Sequence, residues 1–112
     1  MSPTEVVQRQ LDAYNAHDLQ AFLATYSEAA TIFRMPSTQP MVCGKTAIGE
    51  LYGTKVFNRV NHKADLLNRM ALGNKVVDHE RIYGLGDQPV EAVAVYKVEN
   101  ERIECVWLFP AE

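Results

Sequence analysis

Four runs rich in Val, Ile and Tyr fill the second half of this chain, at residues 61–72, 75–85, 90–99 and 102–109. Between them stand Gly73-Asn74, Gly84-Leu85-Gly86-Asp87 and Asn100-Glu101, all turn-forming residues. Links this short join successive strands as hairpins, so an antiparallel meander is predicted. Alternating βαβ units are excluded.

The first half reads differently. Ser2-Pro3-Thr4-Glu5 fits a capping box, with proline at the first helical position. Val7, Leu11 and Tyr14 then share one helical face. Asn15-Ala16-His17-Asp18 breaks the run, Asp18 can cap a second helix, and Leu19, Phe22, Leu23 and Tyr26 form its apolar stripe. A strand is predicted over 30–35, ended by Pro36, and a third helix opens at Gly44 with Ile48, Leu51, Tyr52 and Val56 on one side. Gly49 and Gly53 weaken that helix by about 1 kcal/mol each and would suit the close approach of another backbone. Helices first and a sheet afterwards predicts an α+β domain, with a curved sheet wrapped on three helices around a pocket.

With 112 residues, 47% of them hydrophobic, the chain is one domain's worth, 1–112, with enough apolar side chains for a core. A net charge of −3, spread along the chain, gives no footprint for nucleic acid or anionic lipid. No apolar run reaches the ~18 residues of a membrane helix, and the amino end lacks the pattern of a secretory signal. Cys43 and Cys105 lie far apart, without metal-ligand spacing. The expectation is a cytoplasmic protein with two buried or half-buried free thiols, no metal and no cofactor.

Strand alternation sorts the chemistry-bearing side chains. Val77, His79, Arg81 and Tyr83 share one side of their strand, and Val76, Asp78, Glu80 and Ile82 the other. Ala92, Ala94 and Tyr96 share a face in the next. In the last, Ile103, Cys105, Trp107 and Phe109 form an apolar side, while Val106 and Leu108 sit opposite. A strand apolar on both sides is expected to be covered on both, by the helices and by a second copy of the chain.

The order helix, helix, strand, helix, long meander resembles the cone-shaped, cystatin-like fold of the nuclear transport factor 2-like superfamily. Tyr14-Asn15-Ala16-His17-Asp18-Leu19 is similar to the helix-helix junction of its polyketide-cyclase-like (SnoaL-like) branch. Tyr26-Ser27-Glu28-Ala29-Ala30-Thr31-Ile32, Gly44-Lys45-Thr46-Ala47-Ile48 and Arg102-Ile103 through Trp107 are similar to its first strand, third helix and terminal strand. The resemblance spans nearly the whole chain. It implies a homodimeric cone whose apolar cavity holds a small organic molecule.

It does not carry over a known mechanism. Ketosteroid isomerases of this superfamily use an aspartate base in the first strand, and alignment through Asp18 puts Arg34 there. Their first-helix tyrosine corresponds to Gln10 rather than Tyr14, and their hydrogen-bonding aspartate to Ala94. An arginine does not shuttle protons between carbons near neutral pH. Glu80-Arg81-Ile82-Tyr83 resembles part of the limonene-epoxide-hydrolase-like site, with Arg81 matched but Tyr83 and Phe109 in place of its aspartates. Trp107 matches a tryptophan of that branch.

What remains suits binding. Tyr14, Arg34, His79, Arg81, Tyr96 and Trp107 are the candidate ligand-binding residues, and Asp78, His79 and Glu80 the candidate catalytic ones. Each has a plainer reading: His79 and Arg81 on an exposed strand face, Asp78 and Glu80 as a solvated pair, and Tyr14 and Trp107 as core or interface. Arg34, between Phe33 and Met35, needs a carboxylate partner or a ligand. An enzyme of the isomerase, cyclase or hydrolase kind and a non-catalytic interaction module are the alternatives to simple binding.

Overall fold

The computed structural model describes residues 1–111. In chain order the elements are α1 (Pro3–Ala16), α2 (Leu19–Ala24), β1 (Tyr26–Arg34), β2 (Val42–Cys43), α3 (Lys45–Lys55), β3 (Lys63–Leu72), β4 (Lys75–Tyr83), β5 (Val90–Glu99) and β6 (Arg102–Pro110). The architecture is α+β. Its sheet runs in the order β2-β1-β6-β5-β4-β3 and is curved without closing.

The local signals act as their chemistry dictates. Ser2 accepts from the Glu5 backbone N–H while the Glu5 carboxylate accepts from the Ser2 N–H, a complete capping box. Asp18 accepts from the Ala21 N–H and starts α2. Asn15 pins the junction to β3, donating from Nδ2 to the Ala64 carbonyl at 2.9 Å and accepting the Ala64 N–H at 2.8 Å.

The core lies between the helices and the concave sheet face. Phe22, Tyr26, Ile32, Ile48, Ile103 and Val76 are fully buried there. Each such apolar side chain contributes on the order of 1.5–3 kcal/mol.

Several expectations need correction. Tyr26 opens β1 rather than closing the stripe of α2, and β1 begins four residues before Ala30. β1 lies parallel to β6, so the sheet is mixed and the meander is only its β3–β6 part. Gly49 and Gly53 give way to side chains, not to a backbone: built Cβ atoms would stand 3.0 Å from Leu23 Cδ1 and 3.2 Å from Leu19 Cδ2. Cys43 is exposed and Cys105 half-buried. No helix among the described residues is long and apolar enough to cross a membrane.

The apolar face proposed for the last strand is split. Val98 pairs with Ile103 and Lys97 with Cys105, which leaves Glu104 as an extra residue in β6. This bulge reverses the alternation. Ile103, Val106 and Leu108 therefore face the helices, while Cys105, Trp107 and Phe109 face away.

Candidate functional site

Beneath the helices, two connected hollows occupy the concave face. An outer cleft of about 500 Å³ is walled by α1, α3 and the ends of β4, β5 and β6, with Tyr14, Tyr52, His62, Glu80, Leu108 and Arg34 among its lining. A deeper chamber of about 90 Å³ lies behind it, between Gln10, Tyr26, Tyr96 and Val106. Tyr14, Tyr52, Glu80, Ile82 and Leu108 line both. Glu80 thus stands at the neck. A larger outer groove of about 640 Å³ runs along α1 and α2, but its ionisable side chains Arg9, Asp12, Asp18, Glu101 and Arg102 are all exposed.

The parity of β4 decides which candidates reach these hollows. Val76, Asp78 and Glu80 point inward and are buried. His79 and Arg81 point outward, where Glu91 accepts from His79 Nε2 at 2.7 Å and from Arg81 Nη2 at 3.2 Å. Both were candidate ligand contacts, and His79 a catalytic one; their placement on the outer face removes them from the cleft. Trp107 leaves it for the same reason, turned outward by the bulge and stacked on Phe33 with ring centroids 6.5 Å apart. Tyr14 and Tyr96 line the hollows, and Arg34 stands exposed at the rim of the outer cleft.

Asp78 and Glu80, neighbours on one face, differ in their surroundings. Asp78 is fully buried, and its two oxygens accept from Arg69 Nε at 2.6 Å and Nη2 at 2.9 Å. Arg69 Nη1 also donates to Gln8 of α1, which ties that helix to the sheet. Glu80 has no hydrogen-bond or ion-pair partner among the described residues. Burial pushes its carboxyl up to about 7, the Asp78 carboxylate adds to the rise, and Arg69 opposes it. The result is a carboxyl group half-ionised near neutral pH.

Tyr14, Tyr52 and Tyr96 line the hollows beside it. Tyr14 packs against Phe57, Phe22 and Tyr52, with centroids 5.6, 6.1 and 6.3 Å away. Its hydroxyl is hydrogen-bonded to Nε2 of His62, whose carbonyl accepts from His17 Nε2 at 2.6 Å. Burial pushes the Tyr14 hydroxyl up and the His62 imidazole down, so both are neutral and either can be the donor in this contact. His62 Nδ1 is buried and unpartnered among the described residues. Burial likewise raises the hydroxyls of Tyr52, to about 12, and Tyr96. Both remain hydrogen-bond donors at working pH.

Gly84 gives His62 its place. At φ +89° its missing Cβ would lie 2.7 Å from His62 Cα, so the β4–β5 turn can close over residues 61 and 62 only without a side chain.

Pattern reading missed Arg69, Tyr52 and the role of His62. Arg69 was recoverable: counting outward from the Gly73-Asn74 turn pairs Leu72 with Lys75 and Arg69 with Asp78. Tyr52 was visible only as part of a helix face. Nothing local marks His62, which lies outside the regular elements. Among the described residues no group of three or more His, Cys, Asp or Glu could hold a metal ion.

A cystatin-fold protein from Novosphingobium aromaticivorans superposes with a TM-score of 0.87 at 20% identity, over 96% of this chain and 97% of that one. A protein from Kribbella flavida provisionally named a ketosteroid isomerase gives 0.86 at 14% identity, over 98% and 78%. A Sinorhizobium meliloti protein provisionally named a polyketide cyclase gives 0.80 at 18%, over 93% of each chain. At these identities the likeness is one of fold. No curated protein matches the sequence. The SnoaL-like domain model matches residues 7–106, nearly the whole of the chain. The chain belongs to the SnoaL-like domain family.

Proposed function

We propose that this protein binds a small, largely apolar organic molecule in the cleft and moves a proton on it through Glu80. One observation carries the reading: a buried carboxyl, unpaired among the described residues, forms the neck between two hollows walled by aromatic and aliphatic side chains. A structural carboxyl of the same burial is held as Asp78 is, by an arginine.

The chemistry follows from the surroundings. As carboxylate, Glu80 takes a proton from a carbon beside a carbonyl, and the electron pair moves onto the carbonyl oxygen. Tyr52 and Tyr96 line the chamber at Glu80, and their hydroxyls make no hydrogen bond among the described residues. They are the donors for that oxygen. Glu80, now a carboxylic acid, returns the proton to another atom of the same molecule. The net change is an isomerisation, one proton moved between two atoms of the same molecule, without cofactor. A pKa near the working pH suits both halves of the cycle.

The test is proton exchange. 2-Tetralone, 1-indanone and 2-cyclohexenone in D₂O are followed by NMR, with wild type and Glu80→Gln. Protein-dependent loss of the α-proton signal, slowed about 100-fold or more in the variant, is expected. Equal rates in the two proteins would exclude Glu80 as the base.

A further inference from the structure

We infer that the molecule taken up by the cleft is an anion, a small carboxylate or its equivalent, held by Arg34 at the rim while its apolar body lies toward Glu80. This rests on the proposed ligand-binding cleft and names the class of ligand.

The placement of Arg34 comes from the sheet. In β1 it shares the concave side with Ile32, which is fully buried. Across the strands Arg34 pairs with Leu108, Leu108 with Ala94, and Ala94 with Asp78. Glu80 is two residues further along β4, on the same face. Three strand spacings of about 4.8 Å put the two backbones on the order of 14 Å apart along the sheet, and curvature shortens the direct line. Both side chains line the same cleft. Leu51, Val56, Ile82, Ala92 and Leu108 wall the cleft that the two residues share.

Charge points the same way. Arg34 makes no ion pair or side-chain hydrogen bond among the described residues, whereas Arg69 and Arg81 each hold a carboxylate. Of the carboxylates lining the cleft, Glu91 is taken by His79 and Arg81, and Glu80 lies three strands away. An unpaired guanidinium at the rim of an apolar cleft is a fork for a carboxylate that the protein itself does not supply. Removing the ligand's anion from water at a half-open rim costs little, and the apolar body supplies the rest of the affinity.

The experiment uses matched pairs: benzoate, trans-cinnamate and 2-naphthoate against their primary amides. Binding is measured by calorimetry and saturation-transfer NMR at pH 6.0, where Glu80 is mainly uncharged. Wild type is expected to bind at least one acid tenfold or more tighter than its amide. Arg34→Met should lose that preference with amide affinity changed less than twofold, and Arg34→Lys should regain part of it. Unchanged thermal unfolding of Arg34→Met confirms that its fold is intact. Amides bound as well as acids, or a preference that survives in Arg34→Met, overturns the inference and leaves the cleft standing as a ligand site. If neither acids nor amides bind, both readings fall.

Discussion

Arg69 Nε and Nη2 grip both oxygens of Asp78, at 2.6 and 2.9 Å, across the β3–β4 hairpin beneath α1. A fork on a fully buried carboxylate is a structural clamp, because each oxygen is occupied and no face is left for a ligand. Arg69→Met strands the Asp78 charge and is expected to cost about 3–5 kcal/mol in urea unfolding. Arg69→Met with Asp78→Leu should recover most of that, because replacing a buried pair by apolar groups is nearly neutral. A single variant as stable as wild type would show that the pair does not hold the hairpin.

Glu80 ties stability to pH. Its carboxyl titrates at about 7 in the folded protein and near 4.5 when unfolded, so the native state keeps its proton longer. The contribution is full below pH 4.5 and is lost as the pH rises to 7, on the order of 3 kcal/mol across the window. His62 acts oppositely, since its lowered value removes stability as the pH falls. Subtracting the curve of Glu80→Gln isolates the glutamate. The difference between wild type and variant should slope downward from pH 4.5 to 7, and a flat difference would contradict the assigned titration.

Tyr14 and His62 give a spectroscopic test. Nitrogen NMR should show His62 still neutral somewhat below pH 6.5, with its proton on Nδ1 where the Tyr14 O–H donates to Nε2 and on Nε2 where Tyr14 accepts. Tyr14→Phe leaves a buried Nε2 without its partner and should cost about 1–3 kcal/mol. A His62 mainly cationic at pH 6.5 would contradict its lowered titration.

Steroid isomerisation is expected to be negligible. The resemblance to the isomerases puts Arg34 and Ala94 where their two aspartates belong, and Glu80 approaches the cleft from a different strand. A steroid seated as in those isomerases would find no base at its reacting carbon, a loss of about 10²–10⁴ in rate. Enzyme-like turnover of a 5-ene-3-ketosteroid would show that Glu80 can substitute for that base.

Association is expected through the outer sheet face. Phe33, Trp107 and Phe109, with Val93 and Val95 beside them, form an apolar surface that the helices do not cover. Two copies hide such a face symmetrically. Sedimentation should give twice 12.6 kDa at micromolar concentration, and Trp107→Glu should halve it.

The elements were legible wherever a local cause makes them. Ser2, Glu5 and Asp18 cap their own helices, and the Gly73-Asn74 turn sets its own hairpin. Alternation correctly put Asp78 and Glu80 together, and correctly put Arg34 on the side of Ile32. What it lacked was a reference for inside and out: His79 and Arg81 looked as much like ligand contacts as Glu80 did. Only the packing of α1 and α3 chooses between the faces. The parallel seating of β1 on β6 was hidden because it joins segments some 75 positions apart, through no turn that sequence could display. Trp107 was misplaced by the extra residue in β6, where no glycine marks the bulge.

That extra residue also governs how the chain tolerates changes in length. β6 consists of two stretches of opposite parity spliced at Glu104. Excising Glu104 leaves Ile103, Val106 and Leu108 in step with one another, so the strand straightens and the same side chains meet the cleft. Excising Val106 instead exchanges odd for even beyond it, carrying the indole of Trp107 inward and Leu108 out. Two deletions two positions apart would thus have opposite fates, the first preserving a hollow protein and the second filling it.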